Sequence, residues 1–195
     1  MDSEYLGLQS SFINGVKALV VIKVGADGSL NGYHNKYSLM AEQINATLGY
    51  AVLVISNPSK LDIQHNFDLT MQLVQKVYTE ISSDIGKLPQ IFYLGISRGA
   101  AMAAMLGWQY SLLNNLLLVN PPLMINWHKL KTGLLKFKGN RITVVIGEKD
   151  PSYKYSGLIE LLNQDNIKLV IIPQADHHFS SSNKGFAELP FTYLL

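Results

Sequence analysis

Apolar residues gather in short, nearly unbroken runs along this chain, separated by glycine, proline, asparagine and serine. The runs are Val16–Val24, Ala51–Ile55, Ile91–Leu94, Leu116–Val119, Ile142–Ile146 and Ile167–Ile172. They are rich in Val, Ile and Leu and lack the polar alternation of a half-wet strand, which predicts strands buried on both faces. Between them the period changes to that of a helix. Leu39, Met40, Ile44 and Leu48 recur at helical spacing over Tyr37–Leu48, with Gly49 as the stop. Leu69, Leu73, Val77 and Ile81 form one stripe of a second helix, which Asn66 or Asp68 would cap and Gly86 and Pro89 would close. Helix formers from Ala100 to about Tyr110 predict a third. Leu158–Asn163 reads as the end of a short helix, and the polar tail after Phe179 points to a short final one. The stretch from Leu123 to Asn140 carries Met124, Ile125, Trp127 and His128 without a clean period. Residues 1–15 are weakly patterned and predict a short edge strand or an arm packed on the body.

Strands that alternate with helices imply parallel pairing, with helices on both faces of the sheet. The expected architecture is a three-layer α/β/α sandwich whose mostly parallel sheet has about six strands. No repeat, low-complexity segment or linker interrupts it, so residues 1–195 are read as one domain.

Composition changes this picture little and excludes several functions. A length of 195 residues with 48% hydrophobic and 15% charged residues suits a globular domain with a sizeable core. The net charge of +2 comes without a Lys/Arg block, so nucleic acid is not an expected partner. The absence of cysteine removes disulfides, a thiol nucleophile and thiolate metal sites. The acidic start Met-Asp-Ser-Glu-Tyr lacks the basic and apolar regions of a signal peptide, and no apolar run approaches the roughly 18 residues of a membrane span. The expectation is a cytoplasmic protein. Asn45-Ala46-Thr47 matches a glycosylation sequon but falls in a predicted helix, and is read as chance.

The candidate chemistry lies in loops that leave strands, where an open parallel sheet places its ligand. Gly95-Ile96-Ser97-Arg98-Gly99 joins a buried strand to a helix of small residues. Strand, Gly-x-Ser-x-Gly, helix is the context of a nucleophile elbow, whose flanking positions must be nearly free of side chain. Asp150 follows the fifth run, and His177 and His178 follow the sixth. A serine hydroxyl needs an imidazole to take its proton, and a carboxylate to fix that imidazole's tautomer. Other chemistries lack their motifs. There is no Gly-x-Gly-x-x-Gly, phosphate loop or His-Glu-x-x-His, and His34, His65 and His128 are scattered, so neither cofactor nor metal is expected.

On these residues the chain resembles the α/β-hydrolase superfamily, in particular its small members with little or no cap. Gly95–Gly99 matches the elbow, Ile146-Gly147-Glu148-Lys149-Asp150-Pro151 is similar to the acid loop, and Gln174-Ala175-Asp176-His177-His178-Phe179 to the histidine loop. The resemblance implies Ser97 as nucleophile, Asp150 as orienting acid and His177 as base, with His178 the alternative base. It implies an oxyanion hole made by the backbone N–H of Arg98 and, from Val24-Gly25-Ala26-Asp27, that of Ala26, with Asp27 the other candidate. Val24 stands where the family often has histidine. Residues 121–140 stand where the family inserts a lid, and Leu123, Met124, Ile125 and Trp127 would line an acyl pocket or belong to the core. Arg98 beside the serine hints at an anionic group on the substrate. The implied activity is hydrolysis of a carboxylic ester or related acyl bond in a small-molecule substrate, through an acyl-serine. The alternative is a non-catalytic binding protein that keeps the fold.

Overall fold

Five of the six continuous apolar runs become interior strands of one sheet, and the sixth, Ile167–Ile172, becomes an edge strand. The computed structural model describes residues 6–11, 16–85, 89–180 and 183–195. Its strands are β1 (Leu8–Ser11), β2 (Ala18–Lys23), β3 (Ala51–Ile55), β4 (Gln90–Ile96), β5 (Leu113–Val119), β6 (Arg141–Gly147) and β7 (Ile167–Ile172), in the order β1-β3-β2-β4-β5-β6-β7. All neighbours pair in parallel except β1, which runs antiparallel to β3.

The helices are α1 (Lys36–Leu48), α2 (Ile63–Ile85), α3 (Arg98–Leu106), α4 (Trp127–Lys136), α5 (Gly157–Glu160) and α6 (Asn183–Tyr193). They sort onto two faces. Leu19, Val21, Leu53 and Tyr93 pack with residues of α2, α3 and α4, whereas Val20, Ile22, Val52, Val54 and Leu94 pack with α1 and α6. Successive residues of the strands from β2 to β6 therefore enter opposite cores, which is why the runs show no polar alternation.

Several elements depart from the sequence expectation. The sheet itself keeps to the expectation of about six strands: it has seven among the described residues, one of them the short edge strand expected within residues 1–15. That edge strand, Leu-Gln-Ser-Ser, is short and polar, and it holds its place through Ser56 N–H to Gly7 O at 3.0 Å and Gly7 N–H to Ser56 Oγ at 2.7 Å. Helix α2 begins earlier than expected. Asp62 Oδ1 caps it by accepting from the N–H groups of Gln64 and His65, while Asn66 and Asp68 lie within the helix.

Helix α4 falls where no period was evident. Trp127, Leu130 and Leu134 do share a face, but three lysines and Gly133 dilute the pattern. Gly133 lets α4 lie against α3, since a Cβ there would stand 2.1 Å from Ala104 O. The final helix α6 spans 11 residues and runs through Pro190, longer than its polar start suggested. Gly49 ends α1 at φ 65° as expected, and Gly86 lies outside the described residues. Among the described residues, no helix is long and apolar enough to cross a membrane.

Candidate active site

Strand β4 delivers Ser97 at its carboxyl end. The serine backbone adopts φ 52° and ψ −115°, a strained corner between β4 and α3, and its N–H donates to Val119 O at 2.8 Å. The corner closes only because its neighbours lack side chains. A Cβ on Gly95 would lie 2.6 Å from Ala100 N, and one on Gly99 would lie 2.4 Å from Lys23 O. Tyr93, fully buried in β4, donates its hydroxyl to Gly99 O at 3.2 Å, and burial holds its phenol well above the ordinary range.

The loops after β6 and β7 bring Asp150 and His177 to this corner. Asp150 is buried, accepts from Ser152 N–H through Oδ1 at 2.6 Å, and bonds His177 Nδ1 through Oδ2 at 2.5 Å. His177 Nε2 stands 3.1 Å from Ser97 Oγ. The three side chains thus form one hydrogen-bonded chain from a buried carboxylate to a hydroxyl. His178 lies outside it, with its ring edge-on to that of His177 at 5.2 Å between centroids.

The histidine loop is held at three successive carbonyls. Asn120, fully buried at the end of β5, donates Nδ2 to Asp176 O at 3.3 Å and to His177 O at 3.0 Å. Its Oδ1 accepts from Gly147 N–H at 2.8 Å, so one amide ties the loops after β6 and β7 together. Lys36 Nζ, at the start of α1, donates to His178 O at 2.8 Å and rests over the Phe186 ring. Asp176 caps the turn by accepting from the N–H groups of His178 and Ser180, and Ser180 holds its carboxyl below the usual range.

The loop after β2 lies against the serine, for a Cβ on Gly25 would stand 3.5 Å from Ser97 Cβ. The N–H groups of Ala26 and Arg98 make no hydrogen bond among the described residues, whereas that of Asp27 is engaged by Asn57 O at 2.9 Å. The Arg98 side chain takes a different course from the one its place beside the serine suggested. Its guanidinium donates to Asn57 Oδ1, Pro58 O and Leu61 O at 2.7–2.9 Å, so these donors are spent on the loop after β3 rather than held for an anionic substrate group.

Sequence reasoning passed over Asn120, Asn57 and Lys23. Asn120 stands before Pro121-Pro122, where an asparagine is an ordinary strand stop. Lys23 carried only a weak signal, because Lys17 is a second cation in the same apolar run.

A mostly parallel sheet with a serine elbow after a central strand, and an acid and a histidine on the loops after later strands, is the architecture of the α/β-hydrolase fold, and this chain has that fold. No protein-family model matches the sequence, and no curated protein matches it. Solved structures match nearly the whole chain. Est1E from Butyrivibrio proteoclasticus is similar with a TM-score of 0.75 at 16% identity, over 94% of this chain and 90% of that one. An alpha-beta serine hydrolase homologue from Coxiella burnetii gives 0.72 at 16% identity, over 94% and 89%. XC6422 from Xanthomonas campestris, described as an a/b serine hydrolase without lid, gives 0.67 at 15% identity, over 97% and 89%. At these identities the likeness is one of fold.

Proposed function

We propose that the protein is a serine hydrolase that cleaves a carboxylic ester or a related acyl bond of a small molecule through an acyl-Ser97 intermediate. The observation that carries this reading is the unbroken hydrogen-bonded chain Ser97–His177–Asp150 at a strained elbow. Ser97 Oγ attacks the acyl carbon as His177 Nε2 takes its proton. Asp150 fixes His177 with its proton on Nδ1 and stabilises the imidazolium. The charge that develops on the acyl oxygen meets the N–H groups of Arg98 and Ala26. His177 then returns the proton to the departing alkoxide, and the same steps with water as nucleophile release the acid and restore the serine.

The whole chain serves as one catalytic domain in this reading. Residues 121–140 act as an apolar rim rather than a closing cap, because Leu123, Leu130 and Leu134 are buried while Met124 and Ile125 are exposed. Of the similar structures, one is described as an alpha-beta serine hydrolase homologue and another as an a/b serine hydrolase without lid, which supports the class of reaction.

Ser97→Ala should abolish p-nitrophenyl acetate turnover and labelling by a fluorophosphonate probe. Undiminished labelling of that variant would overturn the assignment. A folded parent protein inert toward ester, thioester and peptide panels would instead favour a binding protein that keeps the fold.

A further inference from the structure

Behind the elbow lies a buried polar network that the reaction as written does not use. Lys23 is the last residue of β2, and strand alternation turns it to the side of Leu19 and Val21, toward α2. It is fully buried. Its Nζ donates to Ser56 O at 2.7 Å, Asn66 Oδ1 at 2.8 Å and Thr70 Oγ1 at 2.7 Å, three neutral acceptors for the three N–H bonds of an ammonium. Asn66 Nδ2 in turn donates to Asn57 Oδ1 at 3.0 Å, the atom that also accepts from Arg98 Nη1 at 2.9 Å.

Asn57, itself fully buried, faces the loop after β2. Its Nδ2 donates to Val24 O at 3.0 Å, and its carbonyl accepts from Asp27 N–H at 2.9 Å. These two bonds grip the loop on either side of Gly25, which lies against the serine, and Ala26, which follows it.

Burying a cation among neutral partners is costly, and a methionine would fill the same space without that cost. Desolvation, with the nearby Arg98 guanidinium, lowers the Lys23 pKa to about 7. What the ammonium offers in return is three donors on one atom, which join the end of β2, the turn after β3 and the first part of α2. We propose that Lys23 is a positioning residue for the oxyanion-binding loop, fixing the place of the Ala26 N–H relative to Ser97 through Asn66 and Asn57. The proposal rests on the serine-hydrolase reading above.

Two variants of the full chain test it. Lys23→Met keeps the side-chain length and removes the donors. Asn57→Asp keeps an acceptor for Asn66 and Arg98, adds a countercharge beside Arg98, and replaces the donor to Val24 O with an oxygen. Both are assayed with p-nitrophenyl acetate below their unfolding temperatures, with circular dichroism reporting the fold. The expected result is a fall in kcat on the order of tenfold to a hundredfold with KM held within about threefold, because the loop donors act on the transition state and not on the bound ester. The Gly25 and Ala26 amide resonances shift in both variants, while those of Ser152 and Gln174 stay in place.

A folded Asn57→Asp protein that keeps kcat within about twofold of the parent overturns the proposal, whether or not Lys23→Met folds. A parent protein with no Ser97-dependent turnover overturns the serine-hydrolase reading and this proposal with it. Ser97-dependent turnover in the parent, unaltered in folded variants, overturns the positioning role alone.

Discussion

Asn120 shows how much one buried amide can organise. Its Nδ2 holds two carbonyls of the histidine loop, and its Oδ1 holds the N–H at the head of the acid loop. Asn120→Ala leaves those three backbone groups without this partner in a buried place, which should cost about 1–3 kcal/mol of stability by urea denaturation. It should also lower kcat more than it raises KM, because His177 is then held less firmly toward Ser97. Asp150→Asn keeps the shape of its site but no longer accepts the proton that His177 carries on Nδ1. The wrong tautomer then faces the serine, and kcat should fall by on the order of a thousandfold or more, with fluorophosphonate labelling slowed in parallel. At this scale Ser97 and Asp150 were legible, because a glycine-flanked serine and an acid after a strand are local patterns. The choice of His177 over His178 was an expectation from resemblance. Adjacent side chains point in different directions, and which of the two meets the acid depends on how Asn120 and Lys36 pin the loop.

Two glycines separate the roles of elements. Gly99 lies where the first turn of α3 crosses the end of β2, and a Cβ there would meet Lys23 O at 2.4 Å and Val24 O at 2.9 Å. Gly133 lies where α4 crosses the far end of α3, and its Cβ would meet Ala104 O at 2.1 Å. Alanine at either position forces backbone apart and should cost about 1–3 kcal/mol, read as a lower thermal midpoint. Their effects on the site should differ. Gly99→Ala displaces Ser97 and the loop after β2 together, so fluorophosphonate labelling slows even in folded protein. Gly133→Ala acts at the other end of the helix and leaves the labelling rate of folded protein near that of the parent. The elbow strand and helix were plain in the sequence because burial and small residues coincide there. Helix α4 was not, since its core-facing stripe is interrupted by the very glycine that its packing requires.

For the molecule as a whole, the buried lysine makes stability depend on pH near neutrality. The Lys23 pKa is about 7 in the folded protein against 10.5 for an unperturbed lysine. Between those values the unfolded chain binds more protons, so stability rises as pH increases above 7 and is lost as pH falls through 7. From pH 7 to 9 this group should add about 2 kcal/mol to the unfolding free energy, at about 1.4 kcal/mol per unit less the part already gained at the lower pH. Denaturation curves at the two pH values check it, and the rise should be smaller in Lys23→Met by that amount. Lys36, lowered by burial as well, contributes in the same direction in both proteins, so the difference isolates Lys23.

The sequence by itself determined the parallel sheet, the alternation of its layers and the Ser97 elbow. Each follows from short-range demands that one stretch of chain meets alone: apolar runs bury on both faces, and a tight corner excludes Cβ atoms. Only the tertiary structure decided that Ser97, His177 and Asp150 share one hydrogen-bonded chain, that Arg98 turns to the loop after β3, and that Asn120, Asn57 and Lys23 brace the loops around them. Those groups come from the ends of six strands and the start of a helix, far apart in the chain. Their partners exist only once the strands are laid side by side, because a hydrogen bond reads distance in space and not position in sequence.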